Sequence, residues 1–149
     1  MKEKIEGLEL NYSEVMFLFS LLIDAMLHGQ ESRARNKIVN LLKERITEFE
    51  KERRAIVEKF GEKDKEGKTK TEKFIQEGIE KERFVLKDQE GFNKEFQELI
   101  STCKFIFDIL PSNKIDFATV KNIVFNIKKD MNYLDGEIYA SLCDKLEKL

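Results

Sequence analysis

The side chains able to do chemistry in this chain are few and far apart. His28 is the only histidine, so any Ser/His/Asp or Cys/His catalytic set must use that one ring. It stands four residues after Asp24, and on a helix this spacing puts both on one face, where they can hold a metal or orient the imidazole. A metal site, however, needs more ligands than these two. The preferred reading is a histidine at a helix C-terminus, favoured by the macrodipole and paired with Asp24. Cys103 and Cys143, the only two cysteines, lack CxxC spacing. Brought together by the fold they make a reactive pair, but solitary cysteines on apolar faces are usually inert core. Free thiols in a reducing compartment fit them better than a disulfide framework. The run EKDKEG at 62–67 resembles a calcium loop only superficially, because its acids alternate with lysines and no Glu closes the frame in register. The chain has no P-loop, GxGxxG, HExxH or paired Cys/His set. The expectation is a protein that is not an enzyme and carries no metal or cofactor.

One cluster invites a partner. Arg33, Arg35 and Lys37 fall near the start of a long helical pattern, where positive charge opposes the helix macrodipole. An anionic partner, either a phosphate or the acidic surface of a protein, offsets that cost by docking on the free N–H groups and the two guanidiniums. The plainer alternative pairs these cations with Glu31 and with residues of the C-terminal half, as exposed ion pairs commonly do.

The helix that carries this cluster spans Glu31 to Phe60, and the other elements are arranged around it. Val39, Leu42, Ile46, Phe49, Ile56 and Phe60 recur at steps that make one continuous apolar stripe, with Glu and Lys between them and an attractive pair from Glu50 to Arg54. Before it, Lys2 to Leu10 alternates loosely, as a short strand would. Asn11, three residues before Glu14 in capping-box spacing, or Ser13 caps a helix running to about Leu27. That helix is apolar nearly all round, Met26 included, so it needs more than one neighbour. His28-Gly29 ends it, and the two helices fold back as an αα-hairpin.

Gly61 to Glu82 reads as a mobile charged connector, in which Phe74-Ile75 and Arg83 to Leu86 are candidates for a short hairpin turning at Gly78. Glu90 to Ile100 has helical spacing, and Cys103 to Leu110 is a compact apolar run suited to a buried strand. Asp116 caps a helix from Phe117 to about Lys129, with Val120, Ile123, Val124 and Ile127 inward. Asp135 caps a last helix, with Ile138, Leu142, Cys143, Leu146 and Leu149 inward. The expected fold is mostly α: an N-terminal αα-hairpin, further C-terminal helices and a small two-stranded β element, all in a single helical domain over 1–149.

The 149 residues suffice for one core. A net charge of -2 with 38% charged residues indicates a soluble protein and counts against a general nucleic-acid binder. No apolar run is long enough to cross a bilayer, and the charged N-terminus does not read as a secretory signal, so a cytoplasmic protein is expected.

The order of an apolar first helix, ESRAR (31–35) opening a charged helix, EKFGEKDKEG (58–67) and GEIYASLCDKLE (136–147) resembles a family of small phage and prophage proteins of unknown function from Gram-positive bacteria. The likeness covers the first half and the last fifteen or so residues. It implies a phage-encoded protein in the cytoplasm of a bacterial host, with no catalytic assignment to transfer. The expected function is a non-enzymatic factor that binds a phage or host protein, in assembly or in host or defence interaction, through the face around Arg33 and Arg35 or through the connector. The alternative is a nucleic-acid-associated factor that tracks phosphates with Arg33, Arg35, Lys37, Arg45, Arg53 and Arg54, against the interspersed Glu44, Glu48 and Glu52. Homo-oligomers are compatible with either, and a membrane partner is not expected.

Overall fold

The computed structural model describes residues 6–149, so the Lys2 to Ile5 part of the expected first strand lies outside the described residues. The order is β1 (Glu6–Leu10), α1 (Tyr12–Asp24), α2 (Gly29–Phe60), β2 (Thr71–Gln76), β3 (Ile79–Phe84), α3 (Gln89–Thr102), β4 (Phe105–Ile109), α4 (Lys114–Phe125) and α5 (Tyr133–Leu146). The fold is therefore mostly α, with two separate two-stranded antiparallel sheets, β1-β4 and β2-β3. No helix among the described residues is long and apolar enough to cross a membrane. Contacts divide the chain into two compact units, one made of residues up to Ile46 with Cys103–Leu149, the other of Thr47–Thr102.

In the first unit, period-two alternation makes the sheet. Leu8 and Leu10 point inward opposite Phe107 and Phe105, and Ile109 completes the buried row. Asn11 caps α1 through the capping box with Glu14 that its spacing implies. Helix α1 then stops at Asp24, earlier than the expected Leu27, because another helix takes its last carbonyls: the Arg35 guanidinium donates to Leu22 O at 2.9 Å and Ala25 O at 2.8 Å. Met26, expected inward, lies beyond the helix and is 95% exposed. Gly29, at φ +48, opens α2 instead of closing α1, and the His28 carbonyl accepts from the Glu31 and Ser32 amides. The helical hairpin is thus a short turn pinned by a side chain of its second arm.

On α2 the expected Val39, Leu42 and Phe49 are buried, but Ala34, Ile38 and Val57 join them while Ile46, Ile56 and Phe60 are only half-buried. A helix of 3.6 residues per turn drifts off any fixed three-and-four spacing, so neighbours share the buried face. The remaining helices of this unit start earlier than expected. Asn113, not Asp116, precedes α4, and Asn132, not Asp135, caps α5 by accepting from the Asp135 amide at 2.8 Å. Val120, Val124, Leu142 and Leu146 are fully or almost fully buried, and each such side chain contributes about 1.5–3 kcal/mol. Ile127 falls past the end of α4 and is half-buried, as are Ile138, Cys143 and Leu149 on or just after α5.

In the second unit, the stretch read as a connector carries the β2-β3 hairpin, whose two-residue turn is Glu77-Gly78. Both have positive φ, 54 and 78, the backbone of the mirror-image turn that matches strand twist. Below it, Val85 N donates to Lys70 O and Glu62 N to Val85 O, each at 2.8 Å. The EKDKEG run is an Asx turn: Asp64 Oδ1 accepts from the Glu66 and Lys68 amides. Helix α3 stacks Phe92 on Phe96, and Phe96 meets Phe49 of α2 at 6.4 Å between ring centroids.

Candidate functional site

The three cations that the sequence groups together have three different fates. Arg35 is structural, since its guanidinium closes α1 and also meets Ser32 and Asn36. Lys37 donates to Ser112 O at 2.8 Å and pairs with Asp116 at 3.0 Å, which places it against the start of α4. Arg33 is exposed, with no hydrogen bond or ion pair among the described residues. Further along α2, Arg45 donates to Ile106 O and lies over the Phe107 ring, Arg53 pairs with Glu50, and Arg54, expected to meet Glu50, lies over Phe84. The basic residues therefore do not form one free track.

His28 and Asp24 share no helix face, because α1 ends at Asp24 and His28 sits in the turn. Both are exposed, and no group of metal-ligating side chains suited to an ion occurs among the described residues. Cys103 and Cys143 are free thiols. Burial pushes the Cys143 thiol above its ordinary value, the neighbouring Tyr139 hydroxyl opposing this and the charges of Asp144 and Glu147 adding to it. At neutral pH it is a protonated, weakly nucleophilic group.

A polar cluster that the sequence did not announce lies between α1 and α5. Glu14 is 1% exposed, yet it accepts from the Asn11 amide at 2.9 Å, from Ser141 Oγ at 2.7 Å and from Lys145 Nζ. Burial raises its carboxyl, but the Asn11, Lys145 and Ser141 hydrogen bonds together with the Lys145 charge outweigh that, and the net shift is downward. Ser141 and Lys145 stand one helical turn apart, as in a Ser/Lys catalytic pair. Here, however, the hydroxyl and the amine are each hydrogen-bonded to the Glu14 carboxylate. The cluster is a cross-helix pin. Its signal in the sequence was a lone acid in an apolar helix, which is also what a capping box looks like.

One feature of the first unit open to a ligand is a groove of about 770 Å³ between the α1–α2 turn and the C-terminal end of α4. Met26, Leu27, Ile123 and Ile127 supply its apolar lining, Asn122 and Glu31 its polar edge. It continues past Ala25 and Ile127 into a hollow of about 250 Å³ bounded by Asp24 and Lys129. None of its lining residues is a serine, histidine or cysteine. Thr119, Lys128 and Glu31 also line it, and such a lining takes apolar side chains and hydrogen-bonds a peptide or amide. Glu31 links the groove to the residues singled out in the sequence, since it lies one turn before Arg35 on the same face of α2. No protein-family model, curated protein or solved structure matches this chain.

Proposed function

We propose that this chain is a non-enzymatic protein-binding factor that seats an apolar side chain of its partner in the groove beneath the α1–α2 turn. The observation that carries the reading is Met26: a large flexible apolar side chain, 95% exposed, at the mouth of a groove lined by Leu27, Ile123 and Ile127. Methionine is suited to such surfaces because its unbranched, polarisable chain adapts to what it meets. A phage or prophage origin, with a phage or host protein as the partner, is the biological setting that goes with this reading. The nucleic-acid alternative is weaker, because Arg35, Lys37, Arg45, Arg53 and Arg54 are all engaged within the chain.

The test is affinity capture from infected host cells with the native chain and with the double variant Met26→Asp, Ile127→Asp. Protein recovered by the native chain and lost with the variant is the expected result. Nothing above background at any growth stage, or equal recovery by both, overturns the proposal. A parallel fluorescence-polarisation titration with short DNA and RNA over a salt series should give no binding; a signal that weakens steeply with salt would favour the phosphate-tracking reading.

A further inference from the structure

The β2-β3 hairpin is an unusual object to leave in water. Apart from the half-buried Phe74 and Phe84, every residue of both strands is exposed, including Ile75 at 78% and Ile79 at 60%. A two-stranded hairpin is marginal by itself, and each outer edge is a row of unpaired backbone groups. The other sheet treats its edge differently. On β4 the outward carbonyls of Ile106 and Asp108 are taken by the Arg45 guanidinium at 2.7 Å and the Asn113 amide at 3.0 Å. No comparable side chain covers the hairpin's edges among the described residues.

The register decides which backbone groups face out. Gln76 and Ile79 flank the two-residue turn and exchange hydrogen bonds, so inward pairs alternate down the ladder and the residues between them point away. On β2 the outward residues are Thr71, Lys73 and Ile75; on β3 they are Glu80, Glu82 and Phe84. We infer that a second copy of this chain pairs antiparallel along the β2 edge, centred on Phe74, to give one four-stranded sheet across a two-fold axis.

Charge selects this edge and this register. A two-fold antiparallel pair sets each residue opposite one whose number mirrors it about the centre. On β3, centres at 80 and 82 put glutamate on its own copy, a centre at 81 puts Glu80 on Glu82, and a centre at 83 puts Arg83 on Arg83. Like charges directly opposite are destabilising. On β2, a centre at 73 opposes Lys73 to Lys73 and one at 72 opposes Glu72 to Glu72. Centring on Ile75 leaves little strand overlap before the turn. The register about Phe74 overlaps Glu72 to Gln76 in full. It puts Phe74 on Phe74 at a closely spaced pair, Glu72 beside Gln76, and Lys73 beside Ile75. A closed two-fold dimer is also the commonest oligomer, whereas joining a β2 edge to a β3 edge makes an open chain of copies.

The experiment measures mass by sedimentation or light scattering over a concentration series of the full chain, with circular dichroism as the control for folding. The native chain should pass from 17.6 kDa to twice that mass as concentration rises. Ile75→Lys sets lysine opposite lysine twice and should raise the dissociation constant at least about tenfold. Ile75→Glu, made in a Glu80→Gln background so that it does not face a glutamate of its own hairpin, sets glutamate opposite Lys73 twice and should lower it several-fold relative to Glu80→Gln alone. Glu82→Gln, on the other edge, should leave it unchanged. A monomer at every concentration, growth beyond the dimer, or weakening by Ile75→Glu in the Glu80→Gln background overturns the inference. Because the hairpin and the groove share no residue, failure here leaves the partner-binding reading of the groove untouched.

Discussion

At the scale of single residues, Glu14 has the clearest energetic consequence. Its carboxylate is buried and satisfied by three donors, so Glu14→Gln leaves Lys145 and Ser141 facing a weaker acceptor. Breaking this pair should cost about 2–3 kcal/mol in chemical denaturation at neutral pH, less than for a fully buried pair because Lys145 stays partly solvated. The pH dependence has a fixed sign. The folded-state value lies below the ordinary 4.5, so the stabilisation is complete above 4.5 and disappears as the pH falls through the folded-state value. The gap between native and Glu14→Gln stabilities should therefore close in acid; a gap independent of pH would show that the charge is not what matters. Glu77 makes a smaller prediction. Its φ of 54 costs a side chain without local hydrogen bonding roughly 1 kcal/mol, so Glu77→Asn should stabilise the hairpin turn by several tenths of that and Gly78→Val should destabilise it. Hairpin amide protection, read by NMR, would move in opposite directions for the two variants.

At the scale of elements, Arg35 joins the two arms of the helical hairpin by capping the first. Arg35→Met keeps much of the side chain's bulk but strips the Leu22 and Ala25 carbonyls of their donor, and should cost about 1.5–3 kcal/mol with a loss of helix signal in the last turn of α1. No loss would mean that water replaces the guanidinium at no cost. The sequence could place the helices because apolar residues repeat at their period, and the hairpin turn because Gly78 tolerates φ > 0. It could not place what depends on distant partners. The β1-β4 pairing joins residues about a hundred positions apart, and alternation specifies a strand but not its neighbour. Arg35 read as free positive charge because the carbonyls it satisfies belong to another helix. Asp116 and Asp135 read as caps because an acid in the first turn serves the macrodipole much as a cap does; in both cases the residue at the helix boundary is the asparagine three positions earlier. The groove had no signature at all, since Met26 looked like one more apolar residue until α1 ended two residues before it.

At the scale of the whole molecule, the two units are built on unequal cores. The fully buried leucines, the inward face of the β1-β4 sheet and the buried stripes of α4 and α5 all belong to the first unit, whereas among the described residues Phe49 and Val57 are the buried large side chains of the second. Helix α3 has no buried residue, and the hairpin has none on either strand. Opening the second unit therefore exposes little apolar area, and local opening free energy follows buried contact. Amide exchange should be at least about tenfold faster over 62–102 than over α1, β4, α4 and α5, a difference of roughly 1.4 kcal/mol. Limited trypsin digestion should cut first around Lys65 and Lys68 in the exposed Asx turn. Uniform protection along the chain would mean that the exposed aromatic and cation–π contacts of the second unit hold it as firmly as a core. If copies pair along β2, the amides of Lys73 and Ile75 gain partners that the monomer lacks, so their protection alone should rise with protein concentration while that of Glu80 and Glu82 stays level.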